Sequence, residues 1–329
     1  MASNEMTKRS AAGKTRTELA AAFRLKSQIR SLGPVLGFVG IIILFAILTQ
    51  GRILHPKNLS LMLSQVFVLM IAATGVFFVM TVGGLDFSQG SILGLASIIF
   101  CWVSQRNILL AVVASVAAGA AMGAFNGFFH VKFKIASFIV TMCSQYFFRG
   151  LCKYITTKGP VPASSEVLSL DQIWFKMTLM LIVLAIAFVV WHFTRVGFDL
   201  RAIGAGETAA RFSGCRPDLT KFLVYMASGA ITGFASFINV VRVGAITGTA
   251  GRQLETQILI ALVLGGMPIS GGAKSRFSNI IFGTLTYCVL EKSLPMVFPV
   301  SATQQLVKGI IFLVIVALTI DHESLKVIK

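Results

Sequence analysis

Charge is scarce along this chain, and acidic charge most of all. Only 12% of the 329 residues are charged, with 12 Asp and Glu against 29 Lys and Arg. Soluble globular domains carry about twice that share of charge, so this composition does not supply a water-facing surface for a fold of this length. Histidine and cysteine are sparse too. The four histidines, His55, His130, His192 and His322, lie far apart at the edges of apolar runs. The five cysteines are scattered, odd in number and never spaced as CxxC. That pattern excludes a disulfide framework and a cysteine-based zinc site, and leaves the cysteines as small apolar packing groups. No Ser/His/Asp constellation is visible, so nothing marks an enzyme.

Apolar residues are abundant, at 56% of the chain, and they come in blocks. A helix needs about 20 apolar residues to cross a bilayer. Ten segments stand out: Leu32–Thr49, Leu61–Val82, Ser91–Val103, Ile108–Val131, Ile135–Thr156, Trp174–Phe193, Leu219–Val241, Thr256–Gly266, Phe277–Leu290 and Ala302–Ile320. The fold class is therefore all-α: a polytopic membrane protein of about ten transmembrane segments. The third and eighth segments are too short to span alone and are expected to be broken or re-entrant. Irregular backbone at that depth survives only inside protein or against a wet cavity. A weak internal repeat is expected, setting segments two to five against segments seven to ten, with one short segment in each half.

The net charge of +17 does not signal nucleic acid, because the basic residues fall in short gaps between apolar blocks. With the N-terminus inside and the segments alternating, the inner regions hold most of the Lys and Arg, as cytoplasmic loops do. The expected organisation is a polar cytoplasmic tail over residues 1–31, a membrane domain over 32–320, and a cytoplasmic tail over 321–329. The N-terminal tail carries seven basic residues and reads as retained rather than as a cleaved signal, perched against membrane lipid.

Several fragments imitate nucleotide sites and fail. "AAGKT" at Ala11–Thr15 lacks the first glycine of a phosphate loop, and "GAGETA" at Gly204–Ala209 lacks the βαβ unit of a dinucleotide site. The fourth and seventh segments carry glycines four apart, Gly119, Gly123 and Gly127 on one and Gly229 and Gly233 on the other. In lipid such spacing lets helix backbones approach closely.

The stretch "VGGLDFSQGS", Val82–Ser91, breaks the apolar pattern with a carboxylate, Asp86. A charge at mid-membrane costs about 2.5–3.5 kcal/mol on insertion scales, so Asp86 must face protein or water. Two readings stand side by side. Asp86 either caps a broken helix and ties it to a neighbour, or sits at a translocation path. Ser64, Gln65, Ser88, Asn126, Ser144, Gln145 and Asn239 are the other intramembrane polar residues that fit a corridor for a polar solute, or equally hydrogen bonds between helices. The longest inner loop, Thr194–Thr220, holds "GETAARFSG", which predicts a short helix. Glu207 and Thr208 open it, Ala209, Ala210, Arg211 and Ser213 form its body, and Gly214 stops it. It reads either as a solvated loop or as a slim peg that enters a groove on another protein.

Four motifs, in order, carry a family resemblance. "GGLDFSQGSILGLA" resembles the G-(I/L)-D-L-S-x-G-S stretch of ribose-type ABC transporter permeases. "NGFFHVKFKIASFIVTMCSQYFFRGL", "AIGAGETAARFSG" and "LETQILIALVLGGMPISGGAKS" are similar to three later runs of the same family. The resemblance implies a permease subunit that imports a monosaccharide or related polyol across the bacterial inner membrane and binds no cofactor itself. It implies three partners: a second permease copy or close homologue, a cytoplasmic ATPase with two nucleotide-binding domains that uses ATP and Mg, and a periplasmic solute-binding protein. It also implies that residues 207–214 are the coupling helix. The related alternatives are a branched-chain amino-acid or nucleoside permease of the same broad class, or a secondary transporter acting alone.

Overall fold

The computed structural model describes residues 34–268, 271–272 and 275–319. The expected tails, residues 1–31 and 321–329, lie outside the described residues. Among the described residues the architecture is a helical bundle, and each of the ten apolar segments falls on a helix. These are α1 (Pro34–Leu48), α2 (Pro56–Thr81), α3 (Gln89–Ser104), α4 (Ile108–Phe133), α5 (Ser137–Ile155), α7 (Ile173–Phe193), α10 (Pro217–Val243), α11 (Leu254–Leu264), α12 (Ser278–Val297) and α13 (Ser301–Thr319). A single turn, α6 (Ser165–Leu168), and two further helices, α8 (Arg195–Ala205) and α9 (Glu207–Phe212), complete the set. Five helices, α2, α4, α7, α10 and α12, are each long and apolar enough to cross a membrane. With its many apolar helices the chain is a helical, multi-pass membrane protein.

Local chemistry sets the helix ends. Pro56 and Pro217 occupy first turns, where the missing N–H costs nothing. Asn107 caps α4, its Oδ1 accepting from the Leu110 N–H at 3.0 Å. Gly244 ends α10 in the left-handed conformation. The polar "EKSLP" after Leu290 reads as the end of a span, yet α12 continues to Val297 with Pro295 in its last turn. There the ring removes the N–H that would bond the Glu291 carbonyl, a loss confined to the final turn of the helix. One two-residue strand pair, Val161–Pro162 with Ala245–Ile246, joins two connecting segments.

Burial follows the hydrophobic pattern. From Val66 to Thr81, α2 is buried on every face, as an all-round apolar helix at a bundle centre should be. By contrast α4 and α7 keep large side chains such as Leu109, Val113, Ile182 and Ile186 exposed, an outward face suited to lipid. The glycine spacing of α4 and α10 marks where they meet. A Cβ on Gly123 would come within 2.2 Å of the Tyr225 carbonyl oxygen, and one on Gly233 within 2.4 Å of that of Ser115. Backbone lies on backbone along this seam.

The expected loop over Thr194–Thr220 is largely helical. α8 buries Gly197, Leu200 and Ile203, an i, i+3, i+6 pattern too brief to stand out among its charges. Gly204 seats α8 beneath α2, where a Cβ would lie 2.0 Å from the Thr81 carbonyl oxygen. The Arg201 guanidinium stacks 5.0 Å from the Trp191 ring and 4.7 Å from that of Phe198, which holds α8 under the end of α7.

Candidate functional site

Residues 82–88 are the irregular stretch between α2 and α3. Gly83 takes φ 80° to leave the helix. Neighbouring helices then satisfy the exposed backbone. Ser137 Oγ accepts from the Leu85 N–H at 3.0 Å, and Thr141 Oγ1 accepts from the Phe87 N–H at 3.2 Å. Thr141 in turn donates to the Leu85 carbonyl at 3.3 Å, and the Tyr225 hydroxyl donates to it at 3.5 Å. This is the condition under which non-helical backbone is tolerated at bilayer depth.

Asp86 is fully buried and both its oxygens are used. Oδ1 accepts from the Ser88 N–H at 2.9 Å and the Ser88 hydroxyl at 2.5 Å, and Oδ2 accepts from Gln89 Nε2 at 2.6 Å. Gln89 Nε2 also donates to Ser228 Oγ at 3.0 Å, and Thr232 donates to Gln89 Oε1. From the other side Asn126 Nδ2 donates to Ser88 Oγ at 2.8 Å. The result is a polar knot joining the start of α3 to α4 and α10. Ser228 and Thr232 lie about halfway along α10, roughly 16–22 Å from its start at 1.5 Å per residue.

The structure therefore brings Asp86, Ser88 and Asn126 together in one hydrogen-bonded cluster. The expected helix cap takes a different form: Ser88 is the N-cap of α3 with no side-chain capping bond, and Asp86 braces Ser88 itself. Other expected residues lie elsewhere. Ser64 donates to the Leu61 carbonyl of its own helix at 2.8 Å, and Gln65 sits beside it, far from the knot in sequence along α2. Asn239 is buried two turns beyond Thr232. Ser144 bonds back to Thr141 at 3.1 Å. Gln145 Nε2 donates instead to Glu255 Oε1 at 2.8 Å, on the first turn of α11. Gln89, Ser228 and Thr232 were not legible as site residues. The i, i+4 spacing of Ser228 and Thr232 beside Gly229 and Gly233 was the available signal.

The short helix expected at 206–214 is present as α9. Ala210 turns inward and is buried, while Thr208, Ala209, Arg211, Ser213 and Gly214 are exposed. The sequence reading passed over Phe212, which is 88% exposed and the most prominent side chain of the segment. Ionic contacts fix α9 to the start of α10. Lys221 Nζ meets Glu207 Oε2 at 2.5 Å, and Arg211 Nη2 lies 3.2 Å from Asp218 Oδ2 and 3.6 Å from Glu207 Oε1. Exposed pairs of this kind contribute little individually, but together they set the angle of α9.

The hydrogen bond from Lys221 is the main reason the Glu207 carboxyl titrates below its ordinary 4.5, opposed by partial burial and aided by the nearby charges of Lys221 and Arg211. A depressed carboxylate stabilises above its unfolded value and loses that contribution as pH falls through the folded one. Amide protection in α9 is therefore expected to be the same at pH 6 and pH 8 and to fall only below about 4.5. Hydrogen exchange across residues 207–214 measures it.

A helical bundle with a braced irregular stretch at mid-depth and α9 at one end is the frame in which the chain's family is placed. Residues 58–316 match the family described as branched-chain amino acid transport system / permease component, and the chain belongs to that family. It is 33% identical to the ribose import permease of Bacillus subtilis, over 88% of this chain and 92% of the relative. It is 30% identical to the ribose import permease of Escherichia coli K12, over 87% and 92%. The xylose transport system permease of Haemophilus influenzae is 25% identical over 92% of this chain and 99% of the relative. No solved structure matches the chain.

Proposed function

We propose that this chain is the membrane-spanning permease subunit of an ATP-driven importer for a monosaccharide or related polyol. The observation that carries the reading is its near full-length similarity to ribose import permeases, with xylose and galactose permeases among the other relatives. In this reading the chain sits in the bacterial inner membrane with both termini cytoplasmic, as the basic inner loops favour. It pairs with a second permease copy or close homologue. A periplasmic binding protein delivers the sugar, and an ATPase with two nucleotide-binding domains, using ATP and Mg, docks on α9. The chain itself has no catalytic role.

Ten spans and an internal repeat belong to the same proposal. The sequence long–short–long recurs in α2, α3, α4 and in α10, α11, α12. In each half the short helix follows an irregular stretch and carries a buried polar side chain in its first turn, Gln89 or Glu255. Asp86, Ser88 and Asn126 brace the first short helix, and Ser64, Gln65, Gln145 and Asn239 are assigned to the route or its walls.

The α9 assignment has a direct test. Ala209→Trp adds bulk on the exposed face and is expected to cut sugar import about tenfold or more, as loss of a central interface anchor does, with normal membrane levels. Ala210→Trp is expected to disturb folding instead, since Ala210 packs inward. Uptake at the wild-type rate by Ala209→Trp removes α9 from the docking surface.

The whole reading is tested by reconstituting the permease with its ATPase and binding protein in liposomes. ATP-dependent uptake of D-ribose, D-xylose or D-galactose is the expected result. Uptake of L-leucine in their place supports the reading that the matched family's description names. Downhill flux through the permease alone overturns the ATP-driven assignment.

A further inference from the structure

A second polar cluster meets α3 at Gly90, beside the Asp86 knot. Gln145, Arg149 and Lys153 stand at i, i+4 and i+8 along one face of α5, with the exposed Tyr146 beside them. Arg149 is only six residues, about 9 Å, from the end of α5. A cation at that depth facing lipid is disfavoured, so this face of α5 borders protein or water. Arg149 donates to the Ala250 carbonyl, and to the Gly251 carbonyl at 3.1 Å. Those carbonyls belong to the segment that leads into α11.

Glu255, on the first turn of α11, is 7% exposed. Its Oε1 accepts from Gln145, but its buried Oε2 has no hydrogen-bond partner among the described residues. Both charged groups close on Gly90 of α3. A Cβ there would lie 2.0 Å from Glu255 Oε2, 2.2 Å from the Gly251 carbonyl oxygen and 3.2 Å from Arg149 Nη2. A buried carboxylate oxygen left unpaired is costly, and the hydrogen bonds Arg149 makes go to the loop carbonyls and not to this oxygen.

We infer that Glu255, with Gln145 and Arg149, forms the contact at which the permease reads the hydroxyl groups of its passing sugar; the inference rests on the sugar-import reading above. An orphan acceptor calls for a donor. A cation that supplied one would meet the Arg149 charge, and an anion would meet Glu255. A neutral polyol satisfies the site: one hydroxyl donates to Glu255 Oε2 and a neighbouring one accepts from Gln145 or Arg149. Gly90 covers Oε2 in this conformation, so the contact forms when the first turn of α3 draws back from α11. The glycine at 90 is what lets the turn close over the carboxylate afterwards.

The test uses the complete importer in liposomes and counts D-ribose molecules taken up per ATP hydrolysed. Glu255→Leu and Gln145→Leu are expected to lower that ratio about tenfold while ATP hydrolysis and incorporated protein stay at wild-type levels; a tenfold loss corresponds to one missing hydrogen bond made during passage. Glu255→Gln, which keeps a hydrogen-bonding oxygen of the same shape, is expected to recover most of the ratio. An unchanged ratio in Glu255→Leu overturns the inference and leaves the sugar-import reading intact. So does an equal fall in the ratio and in ATP hydrolysis for both Glu255 variants, which marks a purely structural residue. Wild-type import of L-leucine and of no sugar overturns both.

Discussion

Gly229→Leu is expected to destroy the folded permease, lowering its stability by about 3 kcal/mol or more, at the top of the range for overpacking. A Cβ at this position would lie 2.2 Å from the Gly119 carbonyl oxygen, 3.0 Å from the Gly119 carbonyl carbon and 3.0 Å from Gly123 Cα. All three atoms are backbone, so no side chain can rotate away. α4 and α10 would have to separate along their whole shared seam. Gly119 faces the same constraint from the other side, with Gly229 O 2.2 Å from its added Cβ. Separation would also pull Asn126 of α4 away from Ser88, and Ser228 of α10 away from Gln89, so the polar knot fails with the seam. In lipid there is no hydrophobic drive to compensate, since association depends on close packing itself. Thermal unfolding in detergent is the measurement, and Gly37→Leu is the control, because an added Cβ at Gly37 meets nothing within 4 Å. A Gly229→Leu protein that unfolds at the wild-type temperature removes the seam from the account of stability.

Asp86→Leu is expected to have the second largest effect. It leaves the Ser88 N–H, the Ser88 hydroxyl and Gln89 Nε2 without their shared acceptor. Each buried donor left unpaired costs about 1–3 kcal/mol, so the loss should reach about 3–5 kcal/mol, the range found when one partner of a buried charged network is removed. Gln89 retains Ser228 and Thr232, which keeps the total below the simple sum. Asp86→Asn should cost less, because its amide oxygen still accepts from the Ser88 N–H and hydroxyl, and the loss is confined to the Gln89 side, where its NH2 opposes the Gln89 NH2, donor against donor. The order wild type, Asn, Leu in unfolding temperature is the expected result, with sugar uptake falling in the same order. Equal stability of all three proteins would show that the start of α3 is held by Ser137, Thr141 and Tyr225 alone.

The sequence by itself determined the class and much of the skeleton. Scarce charge and apolar blocks of bilayer length leave a helical membrane bundle as the only way to satisfy the backbone. The glycines of α4 and α10 announced a close contact, because their spacing repeats at the helical period. Asp86 announced a protected polar site, because a charge among apolar residues needs partners. Its direct partners, Ser88 and Gln89, are local, and the tertiary structure decided what they are tied to. Ser228 and Thr232 lie far from Gln89 in the chain, and only the packing of α3 against α10 brings them to it. Glu255 and Arg149 are 106 positions apart, on separate helices, and converge only because Gly90 lets both approach. Likewise α9 was legible as a helix, but the inward turn of Ala210 and the outward turn of Phe212 depend on how α8 and α10 hold it. Periodicity along a chain fixes which residues share a helix face. Which faces meet is set by backbone contacts between segments far apart in sequence, and no local pattern encodes them.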